Sequence, residues 1–445
     1  LTIALASLGV ALTLAAPPSE RLEAAPGEAV ERAIAGPDRH RFEVALADGT
    51  FFRATLQQRG IDVVVDVHEG ERTLFSVDSP TGADGEESIL IVAARAGTHA
   101  LVVRALDERG PGGRYVLTVR EVRPATAGDR ELASVRESLA RGWERREAFD
   151  FAAARRAGED ALARLERLHG PSAPEIVEAL DLLGYVLDET ARFDEGVSMF
   201  ERALAIRRSM PGTPETEILE NESNLAYLEM GAGRYDQAAR RFRSVAARRD
   251  ALSTDGNVNL SAHSGLGVAL LQADRLDEAR VVLEDVLKRQ EARSPTGRDR
   301  AATLGPLGRL ALVQGRLEAA EARCRQASDL RSATNWGDWS RASDLRCLGA
   351  VSALRGQTAA AKAYFEDSLG KCSRLFGPAS FCEAETRLEE GRTALESCRL
   401  EAAERSLGEA RSTFAAILPA SHPMVSLSAA EIAKLPSART RCGTP

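Results

Sequence analysis

Leu307-Gly308-Arg309-Leu310, followed by Gly315-Arg316-Leu317-Glu318-Ala319-Ala320, decides the fold. Gly308 stands twelve residues before Ala320, and the same spacing of two small residues recurs along the chain. Before it come Gly142/Ala154, Gly184/Gly196, Ala226/Ala238 and Gly267/Ala279, and after it Gly349/Ala361 and Gly391/Ala403. Between each pair lies a polar turn and one residue, usually large: Phe151, Phe193, Tyr235, Leu276, Leu317, Thr358 and Leu400. The steps between these residues are 42, 42, 41, 41, 41 and 42. So constant a period is an internal repeat of seven units. Each unit reads as two amphipathic helices, A and B, joined by a turn such as Gly233-Arg234 or Asp274-Arg275. Helices cross closely where neither presents a bulky side chain, which suits one small residue on A and one on B. Four residues after the second small residue stands a larger one on the same face of B: Phe200, Phe242, Leu283, Phe365 or Leu407.

This Leu-Gly … Ala-x-x-x-Phe-x-x-Ala pattern resembles the tetratricopeptide repeat over roughly residues 130–435. Its period exceeds the usual ~34 residues and is similar to the longer kinesin-light-chain subtype. The turn phrases Leu168-His169-Gly170-Pro171, Leu375-Phe376-Gly377-Pro378 and Ser421-His422-Pro423 resemble that subtype too. Arg141 and Glu390 replace the Leu before the small residue, so the outer units are expected to be imperfect caps. Pro306 falls inside an A helix and should shorten or kink it. The resemblance implies a right-handed superhelix whose A helices line a concave groove for a peptide or protein partner. Counting along the register, the groove residues are Glu178, Asp181, Tyr185, Asp188, Glu220, Ser223 and Tyr227, then Arg309, Arg346 and Arg392. Such a groove is acidic at one end and basic at the other, a polarity able to orient an extended ligand. The plainer alternative is that these are solvated helix faces.

Before the repeats the pattern changes. Residues 41–46, 51–56, 61–67, 73–77, 88–93, 99–104 and 115–119 are β-rich runs separated by Gly, Asp and Pro turns. That spacing implies an all-β sandwich or barrel. The run order includes Asp38-Arg39-His40-Arg41-Phe42, the turn Asp78-Ser79-Pro80, Ala96-Gly97-Thr98-His99 and Gly113-Arg114-Tyr115-Val116-Leu117. It resembles the bacterial pre-peptidase C-terminal type of β-sandwich over about residues 27–122, which implies an accessory module without catalytic residues. His40, His68 and His99 stand singly beside strands and read as solvated or hydrogen-bonded rather than ligating. Asp78, Asp84, Glu86 and Glu87 are of the type that holds Ca²⁺, but their irregular spacing favours a solvated acidic loop.

The expected organisation is therefore a signal-like segment at 1–16, a linker at 17–26, the β-sandwich at 27–122, and a hinge at 123–129. Seven repeats follow over 130–435, and a tail over 436–445. In the hinge, Pro124 ends the last strand and Asp129 is placed to cap the first helix. The fold class is multidomain, an all-β sandwich followed by an all-α tetratricopeptide-like superhelix. The run LTIALASLGVALTLAA (1–16) is uncharged and ends in small residues, like the apolar core and cleavage site of a secretory signal without its basic start. Export from a bacterial cell, to the periplasm or beyond, is the expectation; if the segment is not a signal, the protein is cytoplasmic. A membrane enters only if that segment stays uncleaved.

All six cysteines follow residue 323: Cys324, Cys347, Cys372, Cys382, Cys398 and Cys442. An oxidising compartment permits disulfides in fifteen pairings. The register allows Cys324–Cys347 and Cys372–Cys382, each joining a B helix to the next A helix, and small core residues are the alternative. Net charge of −8 and a pI near 5.6 exclude nucleic acid as a general partner, because phosphate binding needs concentrated Lys and Arg. No Ser/His/Asp set, P-loop, H-E-x-x-H or dinucleotide fingerprint appears, and no cofactor or metal set is found. The expected function is a non-enzymatic scaffold that binds a protein or peptide in the repeat groove; Asn335-Trp336-Gly337-Asp338-Trp339 reads either as a second contact patch or as packing onto the next helix. The order of sandwich and repeats also resembles the front half of bacterial proteins ending in a caspase-like (CHAT-type) protease domain. It therefore implies, as an alternative, the regulatory half of a protease whose catalytic domain is not among these residues. A glycan-binding sandwich on a helical stalk is a third option.

Overall fold

The structure, a computed structural model, describes residues 19–77, 85–106, 112–253, 259–293, 299–334 and 338–443. The signal-like segment 1–16 lies outside them. The chain divides into two units, Leu1–Arg141 and Gly142–Pro445.

The first unit holds β1 (Ser19–Arg21), β2 (Ala29–Ile34), β3 (Arg39–Leu46), β4 (Thr50–Arg59), β5 (Val63–Glu69), β6 (Arg72–Val77), β7 (Glu86–Val92), β8 (Gly97–Ala105) and β9 (Gly113–Pro124). They form two sheets, ordered β1-β3-β8-β5-β6 and β2-β9-β4-β7. Alternation decides which face is inside: Phe42, Val44 and Leu46 of β3 are buried, as are Phe52, Ala54 and Leu56 of β4. Both sheets contribute to one core with Leu101, Val103, Tyr115 and Leu117. The seven expected strands are present, and two more were not foreseen. Residues 19–21, expected within a linker, run as β1 parallel to β3, and Leu22 after them is buried in the core. β2 buries only Ile34, so its sequence carries little strand signal.

The hinge is tightly bonded. Thr126, not Asp129, occupies the N-cap of α1 (Ala127–Glu147): its hydroxyl accepts the Asp129 amide at 3.1 Å. The Asp129 carboxylate accepts the Thr126 amide in return at 2.7 Å, the reciprocal pair of a capping box. Arg123 of β9 forks onto the same carboxylate at 2.5 and 2.9 Å and holds its pKa well below the usual range.

In the second unit the helices come in pairs. After α1 and α2 (Phe151–His169) follow α3 (Val177–Glu189) with α4 (Phe193–Ser209), α5 (Glu215–Gly231) with α6 (Tyr235–Leu252), and α7 (Ser261–Gln272) with α8 (Leu276–Arg293). Next come α9 (Asp299–Val313) with α10 (Leu317–Thr334), α11 (Asp338–Leu354) with α12 (Thr358–Phe376), and α13 (Phe381–Glu396) with α14 (Leu400–Ile417). Two shorter helices, α15 (Pro423–Ala433) and α16 (Leu435–Arg441), end the described chain. Each residue of the 41–42 step series, Phe151 through Leu400, is the first residue of a B helix.

The small residues do more than let two backbones cross. A Cβ on Gly184 would overlap the Phe200 ring, one on Gly267 the Leu283 side chain, and one on Gly391 that of Leu407. The glycine of A is thus the seat for the large residue of B. Burying such a side chain contributes roughly 2–3 kcal/mol. At Gly308 the seated group is the Cys324 sulfur. Helix α9 runs on through Pro306, which therefore does not shorten it. Gly305 precedes this proline and has no Cβ to meet its ring.

All six cysteines are paired: Cys324–Cys347, Cys372–Cys382 and Cys398–Cys442, with Cα separations of 6.3, 5.5 and 5.6 Å. The first two join a B helix to the next A helix. The third ties α16, in the stretch expected to be a tail, to the turn between α13 and α14; Leu435 and Ala438 also pack there on Ala394, Leu395 and Ala403.

The helical unit also meets itself far along the sequence. Phe193, at the start of α4, touches Phe381 of α13 with ring centres 5.6 Å apart and lies 6.2 Å from the His422 ring. Phe151 stacks on Phe376 at 6.1 Å. His422 reaches the Gly231 carbonyl across 191 residues. The turns after A helices of the early pairs therefore pack on the turns before A helices of the late ones. One turn of the superhelix rests on the next. Among the described residues no helix is long and apolar enough to cross a membrane.

Candidate functional site

Consecutive A helices touch one another, α5 with α7, α7 with α9, α9 with α11 and α11 with α13, while B helices pack chiefly on A helices. The more closely spaced layer of a curved stack is its inner one, so the A helices form the concave wall. Their polar side chains include the ten nominated residues.

The acidic half of this wall is largely neutralised from within. Asp181 is buried and held by Arg207 at 2.5 and 3.1 Å. Glu220 pairs with Arg249 at 2.6 Å. Ser223 is buried, donates to the Leu219 carbonyl at 2.7 Å and accepts from Arg249 at 3.3 Å. Tyr185 accepts a hydrogen bond from Asn224 at 2.7 Å, sits edge-on to Phe200 and Trp143, and has the Arg146 guanidinium 4.6 Å from its ring centre. Tyr227 packs edge-on against Phe242, and its hydroxyl points at the Ser261 carbonyl at 3.4 Å. Glu178 is exposed at the start of α3.

Asp188 differs. Its carboxylate makes no hydrogen bond and no ion pair among the described residues, while its backbone carbonyl accepts the Ala191 amide at 3.0 Å. Burial, and then the charge of Glu189, push its carboxyl up to about 7; Arg146 opposes the rise but spends its hydrogen bonds on Glu189 at 2.8 and 3.1 Å.

In the basic half, Arg346 is buried and bonded to Glu385 at 3.1 Å, and Arg392 lies 3.4 Å from Glu431 and 3.6 Å from Glu389. The Arg309 guanidinium makes neither hydrogen bond nor ion pair among the described residues. Burial and then the like charge of Arg346 disfavour its charged form, while Glu385, Glu389 and Tyr235 pull the other way. The exposed Glu178 apart, Asp188 and Arg309 are the nominated charged residues whose side chains make no direct bond among the described residues. The expected acid-to-base polarity is muted, because internal partners absorb most of it.

Sequence reasoning missed Trp143, which packs edge-on to Tyr185, Arg146, whose charge acts on Asp188, and Tyr235, whose charge acts on Arg309. Of the other candidates, Asn335-Trp336-Gly337, Asp78 and Asp84 lie outside the described residues. Glu87 is fully buried, accepting from Gln58 at 3.0 Å, and Glu86 lies 3.5 Å from Arg120, so neither belongs to a solvated loop alone. His40 bonds the Tyr115 hydroxyl at 2.7 Å and His68 the Thr73 hydroxyl at 3.1 Å; His99 is buried with its Nδ1 unpartnered. Among the described residues no group of three His, Cys, Asp or Glu side chains is placed to hold a metal.

Two family models, both described as tetratricopeptide repeat, match residues 145–209 and 229–296. Among solved structures the chain is similar to a putative kinesin light chain with nearly identical TPR-like repeats from Podosopora anserina. That match has 18% identity, covers 46% of this chain and 98% of that one, and has a TM-score of 0.39. It is similar to the pre-peptidase C-terminal domain of collagenase from Bacillus anthracis at 15% identity, 24% and 97% coverage and a TM-score of 0.20. It is also similar to the Rap conjugation gene regulator of the plasmid pLS20, solved with the Phr* peptide, at 12% identity, 70% and 96% coverage and a TM-score of 0.47. No curated protein matches the chain in sequence. The helical unit is built of tetratricopeptide repeats, and it follows an N-terminal β-sheet domain.

Proposed function

We propose that the protein is a binding scaffold that holds an extended peptide, or an extended segment of a partner protein, against the wall of A helices. The observation that carries this reading is the pair of unmatched charges, Asp188 and Arg309, on a wall whose other nominated polar groups, the exposed Glu178 apart, are bonded internally. A ligand that brings a cation to Asp188 and a carboxylate to Arg309 gains charge-assisted hydrogen bonds there without breaking any the chain already makes. The other groove residues, Glu178, Asp181, Tyr185, Glu220, Ser223, Tyr227, Arg346 and Arg392, shape and stiffen the wall. No catalytic step is assigned. The three disulfides, which use every cysteine, support action in an oxidising compartment, as expected for an exported protein.

The test is peptide display selected on the immobilised full chain, followed by titration of the enriched peptides. Arg309→Glu should weaken them at least about tenfold, or ~1.4 kcal/mol, and shift the selected sequences from acidic to basic. Arg411→Glu, on the exposed face of α14, should leave binding unchanged. Equal binding by the Arg309→Glu protein would sink the groove reading.

A further inference from the structure

We propose that His422 is a proton-sensitive clasp: neutral, it holds one turn of the superhelix on the next, and protonated it releases that contact. The inference rests on the groove reading above for its purpose, since the clasp would regulate how the A-helix wall opens to a ligand.

His422 is 3% exposed, and both ring nitrogens are in use. Nδ1 accepts the Met424 amide at 3.2 Å and so caps α15. Nε2 lies 2.7 Å from the Gly231 carbonyl, an acceptor, so Nε2 carries the hydrogen. Those two partners admit only the neutral ring with its proton on Nε2. A second proton would have to go on Nδ1, where it faces the N–H of Met424. The cap would be lost and a cation left between Phe193 and Phe381.

The joint itself is close-fitting. Pro423 sits against Gly233, where any Cβ would overlap its ring, and Gly233 has a φ of +76°. No other residue could occupy that turn without pushing Pro423 away. Phe193, Phe381, Phe414 and Leu418 complete one apolar cluster with Leu225, Leu228, Leu388 and Leu407, drawn from both turns. The imidazole is a polar, titratable bond across the seam of that cluster.

The charged groups around the ring do not offset its burial. On α4, Asp194 favours protonation but is bridged to Arg234 at 2.5 Å, and Glu195 is bridged to Arg192 at 2.5 Å. On α13, Glu383 accepts the Ala379 amide at 2.9 Å. Burial is the largest influence and lowers the pKa of His422 below the ordinary 6.5, although the hydrogen bond to the Gly231 carbonyl and then Asp194 pull the other way. The sign follows. The released state takes up a proton near pH 6.5 and the clasped state only at lower pH. The clasp is therefore at full strength above about pH 6.5 and weakens as pH falls below it. Asp188 and Asp344, raised by burial to about 7 and about 6, titrate in the same window. Protonation relieves their buried charge, so their effect runs the opposite way.

Hydrogen exchange of the full, ligand-free chain from pH 8 to pH 5, corrected for intrinsic exchange, tests the proposal. Segments 229–236 and 419–430 should lose protection together as pH falls below about 6.5, by at least about tenfold at pH 5. His422→Gln, which keeps a donor and an acceptor but does not titrate, should remove that pH dependence, and His263→Gln should not. Unchanged protection in the native protein, or the same acid loss in His422→Gln, overturns the clasp. If His422→Gln is unfolded at pH 8 by circular dichroism, the decision passes to the imidazole titration of the native protein by NMR. A His422 midpoint coinciding with the loss of protection supports the clasp, and a midpoint apart from it overturns it. No ligand enters these measurements, so their failure leaves the groove reading to the Arg309→Glu test.

Discussion

Asp188 and Gly308 show how differently two residues on A helices can serve. Gly308 has no side chain, and its role is to leave room for the Cys324 sulfur. Asp188 has a charge with no direct partner, and burial makes that charge costly. Its folded-state pKa, about 7, lies above the ordinary 3.8, so the folded protein holds the proton longer than the unfolded chain does. Stability from this group is full below about pH 3.8 and is lost as pH rises through about 7. Asp188→Asn should therefore stabilise the protein at pH 8 by on the order of 1–3 kcal/mol, and by little at pH 4. Urea denaturation of both proteins at the two pH values checks this. An equal effect at both would mean that Asp188 is ionised with a normal pKa.

At the scale of elements, the register of large and small residues was legible because each repeat restates it. The helix pairs and the large residue of each B helix could be read from the sequence; that the A-helix glycine is the seat for it could not. Strand β1 and helix α16 could not. Each is short, and each is held by something distant: β1 by pairing with β3, α16 by Cys442 reaching back to Cys398. Local pattern carries no sign of either. Replacing both Cys398 and Cys442 with Ser should cost about 2–4 kcal/mol. The loss of exchange protection should centre on α16 and the α13–α14 turn, leaving α9 to α12 as they were. A loss spread evenly over all the repeats would contradict the local role given to this disulfide. The candidate site was half legible for a related reason. Helix counting puts Asp188 and Arg309 on A helices, but only side-chain geometry reveals that Arg207, Arg249, Glu385 and Glu431 have already claimed their neighbours.

Across the whole helical unit, the contact of one turn on the next joins pairs far apart in sequence. Phe193 lies at its centre, 8% exposed. Phe193→Ala should cost about 3 kcal/mol or more. Unlike a change inside one repeat, it should lower exchange protection in α4 and in α13 and α15 at once. Loss confined to α4 and its neighbours would show that the late helices stand without the early ones.

By itself, the sequence determined the repeat, its period, the helix pairs and the β-rich first domain. Those properties rest on neighbours within about 40 residues, and periodicity records them directly. Only the tertiary structure decided which turn rests on which, which charges stay unmatched, and that His422 meets Gly231. A small rotation per repeat, multiplied over several repeats, sets where the chain returns to itself. No single repeat encodes that sum, so the Gly231–His422 contact follows from the accumulated geometry of the repeats between them.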